Sequence, residues 1–233
     1  MRKSDGSSFE TYTTVLAEMT DARETGRLEA FSDGVFAIAI TLLVLDIKVP
    51  RGVVAPNTLW QALADQWPTY LAFLASFATI LIMWINHRRL FTHIARCDDR
   101  LLFFNGLLLL GIVLVPFPTA LVAEYLGHPG QRTAATIYNG TFVVIAISFN
   151  ALWRTAASGE RLLHPDHDRA AAAHITDSYK WGPLSYVAAL ALAFVSVTAS
   201  VVLNLVLAIY FALPSKTAAD LGRGRRPQRS RRD

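Results

Sequence analysis

The chain has 233 residues, of which 53% are hydrophobic and 17% charged, with a formal net charge of +4. Soluble globular domains carry about 25% charged residues, so this shortage of charge excludes an ordinary soluble protein. It indicates a protein that is integral to a membrane, and the apolar segments described below predict an all-α fold. The single cysteine, Cys97, excludes an intramolecular disulfide and most cysteine-based metal sites.

The two ends of the chain are polar. Residues 1–24 lack the apolar core of a cleavable signal peptide, and we expect them to form a flexible cytoplasmic tail. Residues 214–233 form a basic tail with six arginines between 223 and 232. Such a run can bind nucleic acid, but beside a membrane span it more often contacts anionic lipid. We therefore expect anionic lipid and no nucleic acid as its partner.

A helix that spans a bilayer needs about 20 mostly apolar residues. Four segments meet this requirement clearly, whereas the apolar region 181–213 is long for one span and short for two. If it turns near residues 196–200, a six-helix domain covers residues 25–213. Its predicted spans are 31–49, 67–86, 101–124, 134–153, 181–196 and 199–213.

The arginines and lysines favour six spans over five. With six spans, 19 of the 22 positive residues lie on the side that carries both termini, and Lys48, Arg51 and Arg132 lie on the other. With five spans the basic tail crosses the membrane and the asymmetry nearly disappears. Positive residues accumulate on the cytoplasmic side, so both termini are expected to be cytoplasmic, in the plasma membrane.

Prolines mark expected breaks within the spans. Pro116 and Pro118 should bend or end the helix of the third span, because proline lacks the backbone donor that a helix needs. Gly182-Pro183 is expected to open the fifth span, since proline is favoured in the first turn of a helix.

Polar residues lead directly into the first span. Arg27, Ser32 and Asp33 precede an apolar run over 34–45, and charges at membrane depth usually face a protein interior or a water path. Arg27 and Asp33 are about 120° apart around a helix and cannot pair along it. The partner of Asp33 must lie on another helix or subunit, and the candidates are Asn86, His87 and Asn105.

Two stripes of the first span are equally apolar. One consists of Ile38, Thr41, Leu42 and Leu45, and the opposite one of Phe36, Ile40, Leu43 and Ile47. Periodicity alone therefore does not show which stripe faces lipid and which faces a partner. The polar Thr41 favours the first stripe as the one that faces a partner. The preference is weak, because a threonine hydroxyl can also bond its own helix.

The segment Arg27-x-x-x-Phe31-Ser32-Asp33, with the apolar run that follows, resembles the signature of the bacterial and endolysosomal six-span potassium channels that carry an RxxxFSD motif. Three further stretches support the resemblance over roughly residues 24–213. They are Trp84-Ile85-Asn86-His87-Arg88-Arg89-Leu90-Phe91, the pair Asp99 and Asn105, and Pro116-Phe117-Pro118-Thr119.

The resemblance implies a homotetramer whose pore is lined by the first helix of each subunit. Bacterial members of this family carry one six-helix unit and lack a TVGYG-type filter. Carried onto this chain, the family pattern makes Ile38, Leu42 and Leu45 the apolar constriction and Thr41 the selectivity residue. Arg27, Phe31, Ser32 and Asp33, with His87 and Asn105, then tie the first helix to the second and third.

A ring of apolar side chains gates a pore by excluding water, and hydroxyl oxygens replace an ion's hydration shell only in part. We therefore expect a potassium-preferring channel of moderate selectivity with no cofactor. The alternative function is that of a secondary or proton-coupled ion transporter, which would use Asp33 as its coupling carboxylate.

Other patterns carry less weight. Ser32 and Asp33 alternatively cap the start of a helix, where side-chain oxygens bind free backbone donors. The histidines and aspartates between His164 and His174 match no regular zinc spacing, so no metal site is predicted. The chain shows no nucleophile–base group and no phosphate loop, and it is not predicted to be an enzyme.

Overall fold

The computed structural model describes residues 5–51, 56–165 and 169–212. In these ranges the chain is all-α, as predicted, with one isolated β-bridge between Ile94 and Leu163. Single turns of 3-10 helix follow α1 at Leu43–Asp46 and α6 at Ser158–Glu160. The α-helices are α1 (Asp5–Leu42), α2 (Pro56–Ala64), α3 (Trp67–Phe91), α4 (Asp99–Leu114), α5 (Pro116–Tyr125), α6 (Gln131–Ala157), α7 (Arg169–Leu192) and α8 (Val197–Ala212).

Four helical segments of the described chain are long and apolar enough to cross a membrane. They are Met19–Asp46, Trp67–Phe91, Asp99–Tyr125 and Gln131–Glu160, which correspond to the first four predicted spans. Val197–Phe211 is a shorter apolar helix, and α8 lies where the sixth span was predicted. Helix α7 overlaps the fifth predicted span, 181–196, only over residues 181–192 and is not one of the four candidate spans. The two helices are separated at residues 193–196, next to the predicted turn.

The first helix is longer than the predicted span. It begins at Asp5, so residues 5–24 of the predicted tail continue helically into the membrane segment. Contacts with the α3–α4 connection hold this extension: Arg96 Nε lies 2.9 Å from Asp21 Oδ2, and Thr25 Oγ1 lies 3.1 Å from the Ala95 carbonyl oxygen. The basic tail 214–233 lies outside the described residues.

The expected proline break in the third span is confirmed. Helix α4 ends at Leu114 and α5 begins at Pro116. Pro116 has no N–H to donate to the carbonyl of Ile112, and the backbone N–H of Val115 donates to that oxygen instead, at 3.2 Å. A carbonyl at membrane depth is thus not left unpaired.

The prediction that Gly182-Pro183 opens a helix is wrong. Pro183 lies inside α7, which begins at Arg169. The carbonyl that Pro183 leaves without its helical donor is that of Tyr179, and Asn150 Nδ2 of α6 donates to it at 2.6 Å. The helix passes through the proline because a neighbouring helix supplies the missing hydrogen bond.

Helix α6 occupies the centre of the subunit and contacts α4, α5, α7 and α8. Its approach to α4 is close at Gly111, where an added Cβ would lie 2.7 Å from Ile145 Cγ1. Small residues allow such close packing of membrane helices. Helix α1 lies at the edge of the subunit and packs mainly on α3 and α4. One face of α1 therefore does not pack against its own subunit.

Candidate functional site

The two stripes of α1 that sequence reasoning did not distinguish have opposite surroundings. Of the second predicted stripe, Phe36 and Leu43 are almost completely buried, whereas Ile40 and Ile47 are half-buried. The fully buried stripe of α1 and the 3-10 turn that follows it consists of Ser32, Phe36, Ala39 and Leu43. The stripe that contains Ile38 points away from it: Ile38 is 58% exposed and Leu45 is 63% exposed, while Thr41 and Leu42 are also exposed. The predicted pore residues thus form one continuous outward stripe.

A buried hydrogen-bond network holds the inward stripe of α1 to α3 and α4. Asn105 Nδ2 donates to Ser32 Oγ at 3.0 Å, and Asn105 Oδ1 lies 2.9 Å from His87 Nε2. Ser32 Oγ in turn donates to the carbonyl of Leu28 at 2.8 Å. Because the amide oxygen of Asn105 only accepts, His87 Nε2 carries the proton in this arrangement. Each of the three linked side chains comes from a different helix.

Aromatic side chains surround the imidazole of His87. The ring of Phe36 on α1 has its centroid 5.4 Å away, and Phe91 stacks on the other side at 4.3 Å. His87 itself is fully buried. These contacts exclude water from the network, which strengthens its hydrogen bonds and makes their loss costly.

Asp33 finds its partner on α3, but not among the residues expected. Trp84 Nε1 donates to Asp33 Oδ1 at 2.7 Å, and the guanidinium of Arg88 lies 5.8 Å from the centre of the Trp84 ring. Sequence reasoning considered His87 and overlooked Trp84. The signal was available, because Trp84 and His87 are three residues apart and share a helix face.

Arg27 and Phe31, the other two residues of the motif, do not join this network. Both are exposed, Phe31 to 64%, and they lie on the outward side of α1 together with Ile38. The motif therefore has two halves. Ser32 and Asp33 bind the subunit interior, while Arg27 and Phe31 are presented outward.

The interpretation of Ser32 and Asp33 as helix caps is wrong. Both residues lie in the interior of α1, which begins at Asp5, so no free backbone donors exist at that point. Ser32 instead donates to the carbonyl four residues earlier. The polar pair is retained in the middle of a helix because it binds other helices.

The hydroxyl of Thr41 donates to the carbonyl of Ile38 at 2.9 Å, as threonines in helices often do. The bond uses the hydroxyl proton and leaves oxygen lone pairs on an exposed side chain. A cation is bound by oxygen lone pairs rather than by protons. The bond is the ordinary one of a threonine within a helix, so the ion-selectivity role of Thr41 stays a prediction.

No group of three histidine, cysteine, aspartate or glutamate residues in the described chain is arranged to hold a metal ion. Residues 166–168 of the histidine-containing loop lie outside the described residues.

The chain is similar to known proteins in sequence and in fold. The family described as the endosomal/lysosomal potassium channel TMEM175 matches residues 27–116, which include the α1 motif and the network. A protein from Chamaesiphon minutus, named a potassium channel, is 55% identical over 201 residues, covering 86% of this chain and 99% of that protein. The chain belongs to the TMEM175 channel family. The resemblance seen in the sequence is thereby confirmed, and so is the prediction that the chain is a channel and not an enzyme.

The fold of this chain matches the crystal structure of a lysosomal potassium-selective channel TMEM175 homologue from Chamaesiphon minutus. The TM-score is 0.74 and the sequence identity 54%. The match covers 82% of this chain and 97% of that one. An endosomal/lysosomal proton channel TMEM175 from Gallus gallus is 35% identical over 167 residues, which are 68% of this chain and 33% of that protein.

We predict that Asn105→Ala lowers the free energy of unfolding of this TMEM175 relative by about 1–3 kcal/mol, since it leaves the buried Ser32 and His87 groups without their partner. Thermal unfolding in detergent measures this loss. Asn86→Ala is the control, because Asn86 is half-buried and outside the network, and it should cost less than about 0.5 kcal/mol. Equal effects of the two substitutions would contradict the structural role assigned to Asn105.

Proposed function

We propose that four copies of this potassium channel chain assemble around an axis, with the outward stripe of α1 from each copy lining the pore. The observation that carries the proposal is the exposure of Ile38 and Thr41 on α1, and of Leu45 in the 3-10 turn that continues it, opposite a buried stripe. An apolar stripe at membrane depth faces either lipid or a partner. A closed ring of identical subunits gives each α1 the same partners on both sides.

In this tetramer Ile38, Leu42 and Leu45 form successive apolar rings over roughly 10 Å of the pore, at about 1.5 Å per residue. Four isoleucines around an axis exclude water and ions by dewetting. Ile38 forms the narrowest ring, as the family pattern implies. The gate is thus hydrophobic and opens when the first helices move apart.

Potassium preference comes from the ring of Thr41 hydroxyls. Each hydroxyl donates its proton to its own helix, and four oxygens then face the ion. A single ring replaces less of the hydration shell than a stack of carbonyl rings does, so selectivity is moderate.

The residues of the α1 motif act beside the pore. The Ser32–Asn105–His87 network and the Asp33–Trp84 bond set the rotation of α1, and therefore the direction in which Ile38 points. Arg27 and Phe31 lie on the same outward side as the pore stripe. We assign them to contacts between neighbouring subunits.

The membrane topology belongs to the same proposal. Six spans, with both termini cytoplasmic in the plasma membrane, place 19 of the 22 arginines and lysines inside. The tail 214–233 then lies against the anionic inner surface of the membrane. Residues 25–213 form the channel domain.

The second candidate is a secondary or proton-coupled transporter that uses Asp33. The observation that favours it is that Asp33 is a partly exposed carboxylate within a candidate span. The bond from Trp84 to Asp33 supports the anchoring role instead, because it occupies one carboxylate oxygen.

We predict that Ile38→Asn raises potassium flux into liposomes on the order of tenfold, equivalent to about 1.4 kcal/mol off the barrier, because polar side chains wet the narrowest ring. Ile38→Ala should act in the same direction by widening the ring. Ile40→Ala is the matched control, since Ile40 packs against the core of its own subunit. If Ile38→Asn conducts no better than wild type, Ile38 is not the gate.

We predict that Thr41→Val shifts the reversal potential toward equal permeability for potassium and sodium, because valine keeps the shape of threonine but removes the hydroxyl oxygen. Currents recorded with potassium on one side and sodium on the other measure this shift. Thr41→Ser keeps the oxygen and should preserve the preference. A pH gradient in the same recordings separates proton from potassium current.

We predict that Asp33→Asn still conducts potassium, because the asparagine oxygen can accept the hydrogen bond from Trp84. A carrier that needs a titrating carboxylate would lose its coupled transport entirely. Single-channel recording separates the two, since only a channel shows unitary currents. Loss of all flux in a folded Asp33→Asn tetramer would favour the transporter.

A further inference from the structure

A positively charged pocket lies between the ends of α4 and α6, and no residue of the proposed pore stripe lines it. It has a cavity volume of about 540 Å³ and is lined by Arg100, Phe104, Arg154, Thr155, Ser158 and Arg161. That volume is within the range of small-molecule binding pockets, roughly 300–1,000 Å³. We propose that this pocket binds a phosphate group carried by an anionic ligand at the membrane surface.

The charge of the pocket supports an anion. Arg161 forms an ion pair with Asp98, whose other oxygen accepts the backbone N–H of Leu101 at 2.8 Å and caps α4. Arg100 and Arg154 form no ion pair within the described part of the chain. Two guanidinium groups thus remain available beside one neutralised pair. Arginine binds phosphate oxygens with two parallel hydrogen bonds, and the hydroxyls of Thr155 and Ser158 add further donors.

The depth of the pocket matches the phosphate layer of a bilayer. Helix α6 has 27 residues, so it is about 40 Å long, close to the thickness of a bilayer with its headgroups. Arg154 lies three residues, or about 5 Å, from its end. Arg100 lies in the first turn of α4, at the same end of the bundle. The two arginines therefore lie at headgroup level, on the side that the proposed topology assigns to the cytoplasm.

The wall of the pocket is amphipathic. Phe104 is one turn from Arg100 on α4, toward the hydrocarbon, and it is half-buried. A phosphate between the arginines thus has an aromatic surface below it, where an acyl chain or glycerol carbon would pack. A lipid headgroup and a soluble phosphate share the chemistry that the arginines recognise. They differ in their need for Phe104.

The test uses the full-length protein in detergent, titrated with short-chain phosphatidic acid while the unfolding temperature is recorded. Arg154→Gln should weaken the apparent affinity roughly fivefold, and R100Q/R154Q roughly thirtyfold, since each basic residue near an anionic headgroup contributes a factor of about five. Arg132→Gln is the matched control, because it removes the same charge from the opposite end of α6. It should change the affinity less than about twofold.

Folding of the variants is checked by gel filtration and by the unfolding temperature without ligand, since both arginines are exposed and their loss should leave packing intact. R100K/R154K keeps the charge and should bind with intermediate affinity, because lysine lacks the planar fork of arginine. The proposal is overturned if R100Q/R154Q binds phosphatidic acid as tightly as wild type. An equal loss in Arg132→Gln would also overturn it, by showing only general attraction.

Two further titrations identify the source of the phosphate. Glycerol 3-phosphate and inorganic phosphate, tested on the same variants, should show the same arginine dependence if the ligand is soluble. If phosphatidic acid alone binds and Phe104→Ala weakens it, the ligand is a lipid. Either result supports a phosphate site. The proposed pore is tested separately, by potassium flux through Ile38→Asn. A pocket that binds no phosphate would therefore not contradict the proposed pore.

Discussion

The cost of an unpaired polar group at membrane depth determines how α1 is placed. Ser32, His87 and Asn105 are almost completely buried within candidate membrane spans, where lipid cannot replace a lost hydrogen-bond partner. Leaving one such group unpaired costs about 1–3 kcal/mol, so the hydrogen bonds among the three side chains keep Ser32 against Asn105. Once Ser32 faces Asn105, helical spacing takes Phe36 inward and Ile38 outward. The orientation of the proposed pore stripe thus follows from a bond that lies outside the pore.

The same constraint explains how the bundle tolerates its prolines and polar residues. Val115 satisfies the carbonyl that Pro116 leaves open, and Asn150 does so for Pro183 from a different helix. Between α6 and α8, Asn139 and Asn204 are hydrogen-bonded to each other and are both buried. In lipid the hydrophobic effect does not hold helices together, so these bonds and close packing specify which helices are neighbours.

The sequence was sufficient to predict features that depend on local chemistry. The apolar lengths of the first four spans and the break at Pro116 follow from composition and from the missing proline donor. The grouping of Ser32, His87 and Asn105 came from the family resemblance. Features that depend on a partner helix were not predictable. Pro183 reads as a helix start until Asn150 is placed beside it, and both stripes of α1 are apolar because lipid and protein interiors favour the same residues. Trp84 was overlooked because an indole in a span is usually an ordinary apolar residue.

The network also limits how the proposed gate opens. Ser32 and Ile38 are six residues apart, about 9 Å along one uninterrupted helix, so they rotate together. A rotation of about 40° moves a group about 5 Å from the helix axis by roughly 3.5 Å, enough to break the bond from Asn105 to Ser32. A tilt of about 15° that pivots near Ser32 moves Ile38 outward by roughly 2.3 Å and keeps the bond. In a four-fold ring this tilt widens the constriction by roughly 4–5 Å across. Tilting therefore preserves the bond from Asn105 to Ser32 that rotation breaks. Because the same tilt moves the buried Leu43 toward α3, α3 has to move together with α1.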